Sequence, residues 1–229
     1  MCGRYALHAS PDVIALQFGV AVPALGPRYN ICPGTDVLAV RTDSSGARRA
    51  MTLRWGLVPH WAKDPSLGPK LANARGESLE ERPAFRDAFL RARCLVPASG
   101  YYEWKSAGRV KQPWYLAPSD AALFGLAGIT ALWHGPQGPV RTVALITTPA
   151  NALSARIHDR MPLVIAPEDY AAWLDRRNDD RDALKALVRP YPAERMHAHP
   201  VSPRVNTPEH DDAGLVEPLR TGPAQGDLL

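Results

Sequence analysis

Cysteine is scarce and scattered: the 229 residues contain three, Cys2, Cys32 and Cys94, far apart and without a C-x-x-C pair. That excludes a disulfide framework and a structural zinc site of the usual spacing. The only other close pair of metal-ligand types, His197-Ala198-His199, reads as structural, so no metal is expected. Long apolar runs are also missing. Nothing approaches the ~18 apolar residues of a membrane span, and the first residues carry no long signal-peptide core. The expectation is therefore no membrane partner and a reduced, cytoplasmic setting. Internal repeats and a domain-splitting linker are absent too, which predicts one domain over residues 1–217 and a loose tail over 218–229.

Proline, by contrast, is abundant, with 23 residues, about twice ordinary usage. The prolines are spread along the chain and read as punctuation of short strands and loops. A hydrophobic content of 45% and a charged content of 22% are ordinary globular values, sufficient for a core without staples. The net charge of +4 leans toward polyanionic partners but decides little alone.

Ser10-Pro11-Asp12 is an N-cap with proline at the first helical position, opening a short helix that Gly19 ends. Val37–Arg41 and Met51–Leu57 are strand-like. In Pro83–Arg93, Phe85, Ala88 and Phe89 fall at i, i+3 and i+4, an amphipathic helix with an arginine-rich outer face. Short strands are predicted at Cys94–Val96, Tyr101–Lys105, Trp114–Ala117, Leu123–Leu132 and Thr142–Thr147, then helices near Pro167–Leu174 and Asp180–Val188. Many short strands with few helices predict an α+β fold, mostly antiparallel and curled into a barrel.

Met1-Cys2-Gly3-Arg4-Tyr5 carries the most chemistry. Methionine before a small residue is commonly trimmed, which would leave Cys2 with a free α-amine beside its thiol. An α-amine of pKa about 7.7–8.0 is neutral and nucleophilic in roughly a tenth of molecules near pH 7. The thiol, near 8.5, supplies less thiolate unless neighbours lower it. Together they can do what neither does alone: the amine condenses with an aldehyde to an imine, and the thiol closes a five-membered thiazolidine. Taken singly, Cys2 reads as a small buried residue near a chain end.

Four more segments are dense in polar groups: Arg28-Tyr29-Asn30-Ile31-Cys32-Pro33-Gly34-Thr35; Arg54-Trp55-Gly56-Leu57-Val58-Pro59-His60-Trp61 through Asn73-Ala74-Arg75; Tyr101-Tyr102-Glu103-Trp104-Lys105; and Ile157-His158-Asp159-Arg160-Met161-Pro162. With Met1–Tyr5, and in this order over nearly the whole chain, they resemble the SOS response-associated peptidase (SRAP) family of abasic-site processing proteins. The resemblance implies a single compact domain with a basic DNA-binding groove, acting as a monomer with no cofactor. It implies an enzyme that captures abasic sites in single-stranded DNA covalently through Cys2 once Met1 is removed, at settings such as replication-fork junctions and therefore at the nucleoid. Cys2 would be the nucleophile. Asn73 would hydrogen-bond near it and the opened sugar, Glu103 would act as general acid/base, and His158 would help open the sugar or reverse the link. Arg4, Arg75 and Arg160 would hold phosphates, Trp61 and Trp104 would shape the DNA path, and Asn30, Pro33 and Thr147 would add contacts. Ala62 follows Trp61 where some members place a second aromatic, and Ser99 stands where many have aspartate.

The chemistry suits these roles. A closed deoxyribose needs a proton donor to release its aldehyde, and a histidine near its ordinary pKa of about 6.5 can shuttle it. A carboxylate between aromatics has its pKa raised by desolvation, and an asparagine, which cannot titrate, suits positioning. Each residue also has a bland alternative: Glu103 as an exposed strand residue, His158–Arg160 as a surface turn, Arg75 and Arg160 paired with Glu77 and Asp159. Trp55 and Trp133 read as packing, and Cys32 and Cys94 as small buried apolar residues. Two other functions compete. One is an N-terminal-nucleophile glutamine amidotransferase, which would need a glutamine-binding arginine loop and a synthase domain, neither visible. The other is a non-catalytic DNA-binding module. A general peptidase reading reduces to removal of Met1, by the protein itself or by another enzyme.

Overall fold

The computed structural model describes residues 2–108 and 110–219. Thirteen strands occur in the order β1 (Tyr5–Leu7), β2 (Arg28–Ile31), β3 (Asp36–Thr42), β4 (Arg48–Trp55), β5 (Asn73–Arg75), β6 (Arg93–Ala98), β7 (Gly100–Ala107), β8 (Val110–Pro118), β9 (Phe124–Gly135), β10 (Gly138–Pro149), β11 (Arg160–Pro162), β12 (Val164–Ile165) and β13 (Met196–Pro200). The helices are short: α1 (Pro11–Phe18), α2 (Arg86–Arg91), α3 (Tyr170–Leu174) and α4 (Arg181–Ala186).

Strands β10, β4, β3, β6 and β9 pair in succession, and β9 pairs back with β10, so five strands close on themselves. The closing contact between β4 and β10 is parallel, with Thr142 opposite Arg54 and Val143 opposite Trp55, whereas the other barrel contacts are antiparallel. The expected mostly antiparallel, barrel-like α+β domain is therefore present. Space inside is tight: a Cβ on Gly128 would lie 2.7 Å from the Cys94 sulfur. The turn after β4 has a similar constraint. Gly56 has φ +130, and a Cβ there would approach the Gly68 carbonyl to 2.8 Å, so only glycine lets the 3-10 segment Pro65–Leu71 pass so closely.

A second, fully antiparallel sheet in the order β13-β8-β7-β1-β2 lies beside the barrel. Alternation along β7 decides what each side chain meets. Tyr101 joins the main core with Tyr5 and Leu116, whereas Tyr102 joins a separate cluster with Ala6, Val201, Val205 and Leu215. The second sheet is thus buried on both faces, against the barrel and against the C-terminal strap of residues 201–216.

Local signals behaved as expected where capping set the boundary. The Ser10 side chain accepts from the Val13 amide, and Gly19 ends α1 at φ 63. The helix expected over Pro83–Arg93 is shorter, and Arg93 does not belong to its outer face. Arg93 is buried and opens β6, where its guanidinium donates to the carbonyls of Phe89, Leu90, Trp173, Asp175 and Asn178. Cys94 is buried as expected, but Cys32 is only half-buried, because it sits in the turn after β2. Of the expected tail, Leu219 donates its amide to the Pro200 carbonyl at 2.9 Å; residues 220–229 lie outside the described residues.

Candidate active site

Cys2 is fully buried where the second sheet meets the barrel. Strand β5 adds in parallel to β10, with Asn73 opposite Leu145, and so carries the Asn73 side chain to the same seam. Its Nδ2 donates to the Cys2 carbonyl at 2.9 Å, while its Oδ1 is buried without a hydrogen-bond partner among the described residues. An unsatisfied buried acceptor costs about 1–3 kcal/mol, so the amide is held ready for a donor that the described chain does not supply.

Glu103 shares the parity of Tyr101 on β7 and is buried at the same seam, 3% exposed. Burial raises its carboxyl to about 7, as expected of a carboxylate among aromatics. Burial first, and the nearby Glu103 charge second, push the Cys2 thiol far above its usual value. Cys2 is therefore a neutral thiol here, not a thiolate. Tyr101, in the electrostatic field of both, bonds Ser154 at 3.0 Å through its hydroxyl. No sequence spacing pointed to that pair.

His158 lies in the loop before β11, half-buried. Its Nδ1 accepts from the Arg160 amide at 3.0 Å and also sits 3.0 Å from Asp159 Oδ1. One nitrogen cannot accept the first and donate to the second. Burial lowers the pKa of His158, against the opposing pull of Asp159; this replaces the expectation of an ordinary value. The neutral ring, with its proton on Nε2, fits the Arg160 bond, whereas the protonated ring fits the exposed Asp159 carboxylate beside it.

Arg160 is half-buried. Its Nη2 donates to Thr147 O at 2.8 Å and Thr147 Oγ1 at 3.0 Å, and both Nη atoms grip the Glu77 carboxylate. Arg75 is exposed beside it. With Ser78, His158 and Asp159 these residues line an open cleft of about 580 Å³. Charge in this cleft is balanced: two arginines face Glu77 and Asp159. Pairing of Arg160 with Glu77 was one of the two partners weighed from sequence; Thr147, fully buried, is the anchor that no spacing revealed.

The other expected DNA contacts fall into a second group. Arg4 and Trp104 have the opposite parity to Tyr5 and Glu103 and face the strap. Arg4 donates to Asn30 Oδ1 at 2.9 Å and to the Val205 and Asn206 carbonyls, and its guanidinium lies 6.0 Å from the Trp104 ring. Trp104 Nε1 donates to Asn206 Oδ1 at 2.7 Å, and the buried Asn30 amide donates to the Val205, Thr207 and His210 carbonyls. Pro33 is half-buried in the tight turn after β2, where Gly34 N donates to Trp55 O at 2.7 Å. Trp61 stands apart on the loop after β4 with 54% of its surface exposed. Trp55 and Trp133 are packed, their indole N–H groups bonding the Ala72 and Ala62 carbonyls. Ser99 takes up a backbone role, accepting from the His8 amide at 3.0 Å. His197 and His199 stack on each other, and among the described residues no group of three ligand types could hold a metal.

A closed barrel flanked by a two-faced sheet, with the buried Cys2, the Asn73 amide and the protonatable Glu103 carboxyl at their seam, defines a class of α+β proteins with a polar cluster set between two sheets. A family model described as SOS response associated peptidase (SRAP) matches residues 1–208, and the chain belongs to that family. It is 40% identical over 223 residues to the abasic site processing protein YoqW of Bacillus subtilis (strain 168), covering 95% of this chain and 99% of that protein. It is 34% identical to the abasic site processing protein HMCES of Gallus gallus, over 86% of this chain and 67% of that one. A crystal structure of a protein from Bacteroides thetaiotaomicron superposes with a TM-score of 0.86 at 25% identity, covering 95% and 99% of the two chains.

Proposed function

We propose that this protein processes abasic sites in DNA, as the names of its relatives say of them, and that it does so by covalent capture through Cys2. The observation that carries the reading is the Asn73 amide: one end holds the Cys2 carbonyl and the other waits, buried, beside a neutral thiol and a protonatable carboxyl. In the proposed reaction the imidazolium form of His158, its Nδ1–H turned to Asp159, donates a proton to the ring oxygen of the sugar, and the anomeric hydroxyl gives one back as the aldehyde appears. The Cys2 amine, freed by loss of Met1, attacks that carbon. Glu103 passes protons from nitrogen to the departing hydroxyl, water leaves, and an imine forms. The neutral thiol then adds across the C=N bond, sulfur to carbon and its proton to nitrogen, closing the thiazolidine. Because the thiol is held protonated, the amine acts first and the thiol second. Met1 itself lies outside the described residues. Arg75 and Arg160 would hold flanking phosphates, Arg160 by exchanging Glu77 for DNA, while Trp61 offers a stacking face to unpaired bases. Arg4, Asn30 and Trp104 would act by fixing the strap that frames this end of the groove.

The test is intact mass after denaturation. Protein trimmed to Cys2 should gain the mass of an abasic oligonucleotide less one water. Protein with an uncleavable extension before Cys2 should gain nothing, since an amide nitrogen cannot form an imine. Cys2→Ser should give a labile adduct and Cys2→Ala no stable one. A stable adduct of undiminished yield from Cys2→Ala would overturn the mechanism, and a non-covalent complex alone would favour a simple DNA-binding module.

A further inference from the structure

The charge surplus of the chain does not sit in the catalytic cleft, where arginine and carboxylate balance. A second group of arginines gathers between the β3–β4 turn, α2 and α3. There the β3–β4 turn and the segment 171–177 enclose a polar cleft of about 700 Å³, lined among others by Arg48, Arg91, Arg176 and Arg177. Its two carboxylates are already engaged: Asp43 pairs with Arg49 at 2.9 Å and Asp175 with Arg177 at 3.3 Å. Arg41 lies within electrostatic reach of Arg176 in that lining and of Arg141, and among the described residues none of Arg41, Arg91, Arg141 and Arg176 has an ion pair. Burial first, and then the proximity of Arg176 and Arg141 against the opposing pull of Cys94, hold the Arg41 guanidinium below its ordinary pKa. The buried Arg93 a few residues away shows the contrasting, purely structural solution, saturated by carbonyls.

We propose that this cleft is a second nucleic-acid contact, a seat for the sugar–phosphate backbone of the same DNA beyond the lesion. No aromatic side chain lines it, while Thr42, Ser44 and Ser45 bring hydroxyls. Such a lining recognises phosphates and not bases. Strand β10 measures the distance between the two sites. Arg141 stands near one end and Thr147, the anchor of Arg160, near the other, about 20 Å away at ~3.4 Å per residue. Phosphates recur about every 3.4 Å along a duplex strand and farther apart on a stretched single strand, so DNA reaching at most about six phosphates past the lesion can touch both. The proposal takes the location of the lesion from the function proposed above, but backbone binding itself needs no aldehyde.

The test uses the full chain carrying Arg91→Glu and Arg176→Glu, both exposed positions without hydrogen bonds, with thermal melting to confirm the fold. Undamaged single strands of two lengths, one about three nucleotides and too short to touch both sites, the other several times longer, are titrated across a salt series. The long strand should bind more weakly to the variant, with a log–log salt slope shallower by about 1.4, at about 0.7 for each of two phosphates. The short strand, and the adduct yield on a short abasic oligonucleotide, should be unchanged. Unchanged long-strand binding overturns the proposal, as does equal weakening of both lengths. Inorganic triphosphate is the third probe. If it binds the unaltered protein more tightly than the long strand and is lost in the double variant, the cleft is a small-anion site and the DNA assignment falls. Because these strands carry no aldehyde, failure of the Cys2 chemistry would leave the result readable.

Discussion

The barrel and the seam beside it are built on opposite terms. Along the barrel strands, side chains such as Leu95, Leu126, Ile129 and Val143 are buried and apolar, and the buried Trp173 indole of α3, packed against them, finds the Cys94 carbonyl at 2.9 Å. At the seam, Cys2 and Glu103 are buried and Asn73 is half-buried, and the Asn73 side-chain oxygen has a polar demand that the described chain does not meet. The first region contributes stability, and the second spends some of it on readiness for chemistry. The comparison therefore predicts that substitutions on the two sides will separate folding from reaction.

The largest effect on stability is expected where α3 packs on the barrel. Trp173→Ala should cost about 3–5 kcal/mol, read as a drop in urea midpoint, while the protein that remains folded still forms adduct at its normal rate. A rate loss in that folded fraction would break the division. At the seam, Glu103→Gln should slow adduct formation by about 10²–10⁴-fold yet leave the fold intact or firmer. The sign follows from proton linkage. A carboxyl raised to about 7 in the folded state binds more protons than its unfolded counterpart near 4.5. Its contribution to stability is therefore complete below about 4.5 and lost as pH rises through about 7. Glu103→Gln should accordingly raise the melting temperature at pH 8 and not at pH 4. A uniform fall at both would make Glu103 structural.

Asn73→Ala should slow the reaction about a hundredfold through misplacement of Cys2, with binding of undamaged strands unchanged; equal loss of both would assign it to architecture. The smallest effect belongs to the exposed Arg75. Alanine there should change stability by less than about 0.5 kcal/mol and flatten the salt dependence of single-strand binding by about 0.7. An unchanged slope would mean that Arg75 serves only the internal balance with Glu77.

What could be read from sequence follows the range of the interaction involved. The α1 caps are local, and their boundaries were legible at Ser10 and Gly19. The barrel strands were legible by composition, though β4 begins at Arg48, ahead of the expected Met51, because pairing with β3 extends it through a charged stretch. Three-residue strands such as β1 and β5 carry no pattern of their own. They exist because longer strands template them, and they are the ones that deliver Cys2 and Asn73. The motifs could name the site residues, but not that Arg4 and Trp104 lie across the sheet from Glu103. Parity along β1 and β7 decides that, and it becomes meaningful only once both faces of the sheet are known to be covered. The inward turn of Arg93 has the same origin: its five carbonyl partners come from segments up to 85 residues away.

The fastening of Arg4 to Val205 and Asn206, some 200 residues along the chain, also acts as a clock. At a synthesis rate of about 5–20 residues per second, the strap that locks the first strand does not exist until about 10–40 s after residue 4 is made. Through that interval the start of the chain cannot reach its final bonded position. Once the strap closes, the first strand is held by residues made some 200 positions later.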